Sequence, residues 1–209
     1  MFENLIIVDN PLVKRELTVL RDKNTDSKNF RASIERIAFS LAIASSKFFE
    51  LKEYEVETPL EKTTGYKFKK EIILIPVLRA GLSFLHPFLT LIPDAKVGHI
   101  GLQRDEETLE PVDYYFKVPK NLSESVTVVL DPMLATGGSA SAALSELKKF
   151  GAEKLIFVSL IASPEGVKKL LSEHPDVPVF TASLDRELNE HGYILPGLGD
   201  AGDRTFGTF

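Results

Sequence analysis

The 209-residue sequence predicts an α/β fold: an open, mostly parallel sheet with helices on both faces and a small antiparallel β piece beside it. Three observations carry this. Ile72-Ile73-Leu74-Ile75 is a continuous apolar run, as expected of a strand covered on both faces. Further strand candidates occur at 97–102, 126–130, 155–161 and 177–181. Helical segments near 82–91, 139–150 and 164–172 separate several of them, and that alternation favours parallel neighbours.

Taken in order, Asn10-Pro11 supplies an N-cap and a first-turn proline, and Leu12, Val13, Leu17 and Leu20 follow on one helical face. A second helix is expected from about Ser27, with Phe30, Ile34, Ile37, Leu41 and Phe48 in period and Ala38, Ala42 and Ala44 allowing close packing. Tyr54 to Thr58 alternates charged and apolar residues. With Thr63 to Phe68 it predicts the antiparallel piece apart from the main sheet. We expect one domain over 1–209, with segments about 53–70 and 183–209 as a smaller hood and a ligand loop.

Composition excludes several classes. There is no cysteine, hence no thiol nucleophile, Cys-ligated zinc, Fe–S site or disulfide scaffold; a reducing cytoplasm fits. The segment 1–14 lacks a basic start followed by an apolar stretch, so no signal peptide is expected. The densest apolar run, Ile72 to Leu78, is far short of the ~20 residues needed to cross a bilayer. A net charge of −5 gives no general attraction to nucleic acid. Lys and Glu dominate the charged residues while Gln occurs once, a bias associated with heat-stable proteins. None of His86, His99, His174 and His191 has metal-ligand spacing with another.

In open α/β sheets ligands sit at the carboxyl ends of strands. After Val126–Leu130 comes Asp131-Pro132-Met133-Leu134-Ala135-Thr136-Gly137-Gly138-Ser139, then a helix with Ala143, Leu144 and Leu147 inward and Gly151 as its stop. Two glycines let the backbone approach an anion, Thr136 and Ser139 offer hydroxyls, and the helix start presents unpaired N–H groups. Asp131 stands where a carboxylate can meet sugar hydroxyls or a hydrated cation. No Gly-Lys-Ser/Thr occurs, so this is not a Walker A loop. Read alone, Gly137-Gly138 is equally an ordinary strand-to-helix turn with a serine cap.

Arg79, in Leu78-Arg79-Ala80-Gly81, follows a buried strand and can make a bidentate pair with a diphosphate, or a surface ion pair. Gln103-Arg104-Asp105-Glu106-Glu107-Thr108-Leu109-Glu110-Pro111 follows the next strand candidate as a long acidic loop, with Tyr114 and Tyr115 on a returning strand. Gly197-Leu198-Gly199-Asp200-Ala201-Gly202 matches a dinucleotide fingerprint by spacing. It fails on context, because proline precedes it and no long helix follows. With Tyr193, Ile194, Leu195 and Leu198 as apolar anchors, its main chain can instead read the edge of a flat pyrimidine.

These strings together resemble one family. Asp-Pro-Met-Leu-Ala-Thr-Gly-Gly-Ser is similar to the phosphoribosyl diphosphate loop of phosphoribosyltransferases, in the version found in the uracil-using members. Leu-Arg-Ala-Gly resembles their diphosphate loop, Arg-Asp-Glu-Glu-Thr-Leu-Glu-Pro their flexible loop, and Tyr-Ile-Leu-Pro-Gly-Leu-Gly-Asp-Ala-Gly-Asp their uracil segment. The resemblance runs from Asn10 to Thr208. It implies a phosphoribosyltransferase-like fold and transfer of phosphoribose from the diphosphate donor to uracil, with Mg²⁺ as cofactor. The implied catalytic residues are Arg79, Arg104 and Asp131. Donor contacts fall on these three and on Pro132, Met133, Leu134, Ala135, Thr136, Gly137, Gly138, Ser139 and Asp200. Uracil contacts fall on Ile194, Gly199, Asp200 and Ala201. The wider family carries two adjacent acids where this chain has Leu130-Asp131, so the ribose role falls to Asp131 alone. No direct protein ligand to the metal is assigned. A homo-oligomer and a GTP effector are also implied. A regulatory RNA-binding protein on this fold and a purine-using enzyme remain the alternatives.

Overall fold

The computed structural model describes residues 2–104 and 111–208, the side chains at 102–104 and 111–114 excepted. In chain order the elements are β1 (Leu5–Ile7), α1 (Pro11–Arg21), α2 (Ser27–Ser45), β2 (Leu51–Glu57), β3 (Lys62–Phe68) and β4 (Glu71–Leu78). There follow α3 (Leu82–Leu91), β5 (Lys96–Val97), β6 (His99–Arg104), β7 (Pro111–Lys117), β8 (Ser125–Leu130) and β9 (Met133–Leu134). The chain continues through α4 (Gly138–Lys149), β10 (Lys154–Ala162), α5 (Pro164–Glu173), β11 (Val179–Leu184), β12 (Glu187–Leu188), β13 (Ile194–Leu195) and α6 (Ala201–Phe206).

The main sheet has the order β1-β11-β10-β8-β4-β6-β7, with β5 also on β4 and β9 also on β10. Every pairing in it is parallel except β6 with β7, where the chain returns antiparallel. Side chains alternate across each strand, and this splits the core in two. Ile72, Leu74, Val126, Val128, Ile156 and Val158 pack beneath α1, α2 and α3 with Phe30, Ile34, Ile37, Phe84 and Phe88. Their odd-numbered neighbours Ile73, Ile75, Val129, Leu155 and Phe157 face Ala143, Leu144, Leu147, Val167 and Leu170 of α4 and α5. Sandwiching between two helical layers is why these strands read as unbroken apolar runs. Among the described residues no helix is long and apolar enough to cross a membrane.

Local signals act as expected at the helix starts. Asn10 Oδ1 accepts from Val13 N at 3.0 Å ahead of Pro11, and Asp26 Oδ1 accepts from Asn29 N at 2.8 Å. Among the described residues β2 and β3 pair only with each other, Leu51↔Phe68 through Glu57↔Lys62.

Three boundaries differ from the sequence reading. The stretch 97–102 belongs to two strands, parted at Gly98; a Cβ there would meet Ile75 Cδ1 at 2.7 Å and Lys117 O at 2.9 Å. The strand expected at 177–181 starts two residues later, since Pro178 has no N–H to give the ladder, and it extends to Leu184. Phe48 lies beyond α2 in a 3₁₀ turn, half exposed rather than on the buried stripe. Strand β1 was not anticipated; its three residues, paired with Val179–Thr181, are too short for periodicity to register.

Candidate active site

The crossover after β4 leads through α3 to β6, on one side, and that after β8 leads through α4 to β10, on the other. β4 and β8 are neighbours, so their carboxyl ends part the two connections and leave a crevice at the switch point. Arg79 follows β4 and Asp131 follows β8. A cavity of about 290 Å³ opens there, lined by Arg79, Ala80, Asp131, Met133, Leu134, Ala135, Thr136, Gly137, Ser139, Ala140, Asp200, Ala201 and Gly202.

The 131–139 loop is framed from behind. Met133–Leu134 adds to β10 at Ile161–Ala162 as β9. Ser163 N donates to Leu134 O at 2.9 Å and Ser163 Oγ to Ala135 O at 2.6 Å, fixing those carbonyls toward α5 and away from the cleft. Gly137 takes φ +79°, and a Cβ on it would meet Gly166 O at 2.8 Å. A left-handed turn in this contact requires glycine. Gly137 is also the N-cap of α4 and supplies no side-chain cap; Ser139 lies inside the helix, so the serine-cap alternative is not what forms. The amides of the first turn therefore remain available to an anion from outside, apart from a long contact of Gly138 N with Thr136 Oγ1 at 3.4 Å.

Asp131 lines the cavity half-buried. Its carboxylate accepts one hydrogen bond, from Met133 N at 3.3 Å. Burial pushes its pKa up to about 6, and the Met133 N–H only partly offsets this. Arg79 crosses the opening, its side chain 58% exposed, and donates to Asp203 Oδ1 at 3.2 Å and Thr208 Oγ1 at 3.3 Å. Arg104 is the last residue of β6, a strand parallel to β4, so its backbone reaches the same edge of the sheet. Its side chain lies outside what is described, as do residues 105–110, on which the acidic-loop reading falls.

The C-terminal segment forms the facing wall. β12 and β13 make a short hairpin whose tip is closed by Asn189 Oδ1, accepting from His191 N at 3.0 Å and Tyr193 N at 2.9 Å. Ile194, Leu198 and Ala201 sink into the core beneath α1 and α2, whereas Tyr193 stays half exposed and is no anchor. After the cis Leu195–Pro196 peptide, Gly197 and Gly199 take φ +63° and +79°. Asp200 Oδ1 then caps α6, accepting from Asp203 N at 2.8 Å. A second cavity of about 250 Å³ lies here, lined by Met133, Ala135, His191, Gly192, Tyr193, Ile194, Gly199, Asp200 and Ala201. It shares Met133, Ala135, Asp200 and Ala201 with the first, so the two cavities adjoin.

Of the sequence-predicted residues, Arg79, Asp131, Met133, Leu134, Ala135, Thr136, Gly137, Ser139, Asp200 and Ala201 line the first cavity, and Ile194 and Gly199 join Asp200 and Ala201 at the second. Pro132 and Gly138 belong to the loop without lining either. Two supports went unread. Ser163 holds the loop as above, and Glu165 Oε1 accepts from Leu188 N at 3.2 Å, tying α5 to the hairpin. Ser163-Pro164 has the same N-cap and proline signature as Asn10-Pro11, which could have flagged the helix start but not its partner.

Among the described residues no three His, Asp or Glu side chains are grouped to hold a metal ion. Asp131 and Asp200, both lining this cavity, nevertheless suit a hydrated Mg²⁺ that takes most of its ligands from phosphate oxygens and water.

A mostly parallel sheet with a crevice at the switch point, a glycine-bearing strand-to-helix loop and an adjoining pocket define the class of phosphoribosyltransferase-fold proteins. A purine phosphoribosyltransferase from Pyrococcus horikoshii shares this fold at TM-score 0.53 and 16% identity, covering 75% of this chain and 86% of that one. A solved structure from Aquifex aeolicus superposes at TM-score 0.91 with 39% identity over 98% of both chains. The family model for uracil phosphoribosyltransferase matches residues 7–208. Curated relatives of that name from Fervidobacterium nodosum (54% identical, 98% of this chain and 99% of theirs) and Salinibacter ruber (52%, 99% and 98%) are similar from end to end. The chain belongs to the uracil phosphoribosyltransferase family.

Proposed function

We infer that this chain transfers the 5-phosphoribosyl group of 5-phospho-α-D-ribose 1-diphosphate to uracil, giving UMP and diphosphate. One observation carries the reading on the structural side: a phosphate-type cavity and a glycine-walled pocket share a wall, so a donor's C1 and a base's N1 can face each other. As the N1–C1 bond forms, the C1–diphosphate bond breaks and the N1 proton leaves. Charge develops on the departing diphosphate, and cationic groups aimed there lower the barrier. Arg79 and Arg104 take that role. The 135–139 loop holds the 5′-phosphate through α4's first amides, Asp131 the ribose hydroxyls, and main-chain groups at Ile194 and Gly199–Ala201 the uracil edge. Orientation of the two substrates supplies much of the gain. Asp131 and Asp200 would hold a hydrated Mg²⁺, which would supply neutralisation of phosphate charge when bound.

The finer parts of the proposal have separate supports. Residues 1–209 act as one domain, with about 53–70 as a hood and 183–209 as the base loop. Exposed apolar side chains on and around β2–β3, including Leu51, Leu60 and Tyr66, support a homo-oligomer. A GTP effector rests on the family resemblance alone. Lack of cysteine supports a cytoplasmic enzyme. The test is incubation with the donor, Mg²⁺ and a panel of free bases. UMP from uracil, abolished by a chelator, is the expected outcome; nucleotide from hypoxanthine but not uracil overturns it.

A further inference from the structure

The pocket assigned to uracil has few side chains that could fix it. Its lining includes Gly199, and Gly197 stands two residues before it; both backbones are held in the left-handed region. Glycine backbones lose more freedom on ordering than any others. Something must keep this turn in one shape.

That something comes from the other end of the chain. Arg21, the last residue of α1, sets its guanidinium edge-on against Asp185, which follows β11: Nη2 to Oδ1 at 2.6 Å and Nη1 to Oδ2 at 2.7 Å. The Asp185 side chain is 1% exposed. Its remaining acceptor positions are also taken, Oδ1 by Ser183 Oγ at 2.7 Å and Oδ2 by Gly197 N at 2.9 Å. Arg21 Nη1 donates in addition to Gly197 O at 2.9 Å, and Nη2 to Ser183 Oγ at 3.2 Å. One buried ion pair thus captures both the N–H and the C=O of Gly197. Gly197 in turn lies against the carbonyl of Ile194, since a Cβ on it would fall 2.1 Å from Ile194 O. Pinning Gly197 therefore fixes Ile194 before it and Gly199 after it, both of which line the second cavity. Burial works against ionisation of Asp185, but the hydrogen bonds from Arg21 and Ser183 outweigh it and hold its carboxyl below the ordinary value. The pair is thus fully charged at neutral pH.

We propose that Arg21 and Asp185 are positioning residues for the base: a buried, bidentate clamp on Gly197 that presets the main-chain wall read by the pyrimidine. The proposal rests on the second cavity being the uracil pocket. The side-chain hydrogen bonds of the clamp end on Ser183 and Gly197 and on no residue of the 131–139 loop, so its effect separates the two substrates. A guanidinium fork is needed for it, because an ammonium cannot span both carboxylate oxygens and Gly197 O together.

The test is steady-state kinetics on the full chain with Mg²⁺, varying donor and uracil separately, for Arg21→Lys, Asp185→Asn and Ser183→Ala, with melting curves for each. Expected is a rise in KM for uracil of roughly tenfold or more for the first two, as misplacement of a bound group by a fraction of an ångström entails. KM for the donor stays within about twofold. Ser183→Ala, which leaves the ion pair intact, gives the same split at about two- to threefold. A merely structural role predicts lower melting temperatures and less active protein with both KM values unchanged, and that result overturns the proposal. Should Asp185→Asn fail to fold, Arg21→Lys and Ser183→Ala decide by the same criterion. Tyr193→Ala, which removes a side chain lining the second cavity and not the first, separates the two levels. If it leaves uracil KM unaltered, the pocket reading is wrong; if it raises that KM while the folded clamp variants do not, only the clamp is wrong.

Discussion

The 131–139 loop and the 187–203 segment face each other across the same cleft, yet they are held by different means. The first grows out of β8, in the middle of the sheet, and is backed by β9–β10 pairing and by α5. Its shape follows from regular structure around it. The second has only a two-residue pairing of its own, and its form depends on side chains that reach main-chain groups: Asn189, Asp200, the Arg21–Asp185 pair, and Arg204, whose Nη1 donates to Leu198 O at 2.7 Å. A phosphate is a large, multiply charged target, served by any helix start placed on a rigid strand. A flat neutral base offers a donor and acceptors at set spacing, so the wall that reads it needs adjustable fixing. On the proposed assignment, the sheet would supply the grip on the donor, and a web of individual hydrogen bonds the choice of acceptor.

The sharpest way to break this contrast is in the donor half. Asp131→Ala and Arg104→Ala should each lower kcat/KM on the order of 10²–10³-fold while the circular dichroism spectrum stays native, as for loss of one group stabilising transition-state charge. Near-normal rates in both variants would refute the donor assignments.

Asp131 also sets function against stability. Its folded-state pKa of about 6 lies above the ordinary value of 3.8, so between these values the folded protein binds more protons than the unfolded. The resulting burden is absent below about pH 4, grows as pH rises to about 6 and is constant above that, reaching about 3 kcal/mol at 1.36 kcal/mol per unit. Asp131→Asn should therefore unfold at higher denaturant than the wild type at pH 7 while being catalytically impaired, and the difference should shrink toward pH 4. Equal midpoints at pH 7 would mean that the carboxylate is better solvated than its position indicates.

The smallest effect is expected at Ser163→Ala. Loss of the hydroxyl removes both its bond to Ala135 O and its cap on Gly166 N, costing about 2 kcal/mol of stability, and should raise KM for the donor a few-fold with uracil KM unmoved. A change confined to uracil would mean that α5 serves the hairpin, through Glu165, more than the loop.

Legibility in the sequence followed distance along the chain. The donor loop and the base segment are contiguous strings, so their residues were read in place, and buried strands announced themselves because both faces are covered. Asn10-Pro11 and Ser27 marked helix starts through local hydrogen bonds. Nothing local signals that Arg21 will meet Asp185, or that Ser163 will meet Ala135; those pairs exist only once the sheet has brought β10 and β11 alongside their neighbours. Gly98 was read as strand interior because its reason for being glycine, the closeness of Ile75 and Lys117, is tertiary. The same holds for Gly137, whose left-handed turn was legible but whose contact with Gly166 was not.

Arg79 is not a bare cation waiting at the entrance. It already leans on Asp203, whose carboxyl is held below its ordinary value by the Thr208 hydroxyl first and Arg79 second. A diphosphate that takes the guanidinium must therefore outbid a resident carboxylate, and only the difference between the two anions counts toward affinity. The exchange would also cut the tether between β4 and the end of α6, so arrival of the first substrate would be felt at residue 208 before any chemistry began.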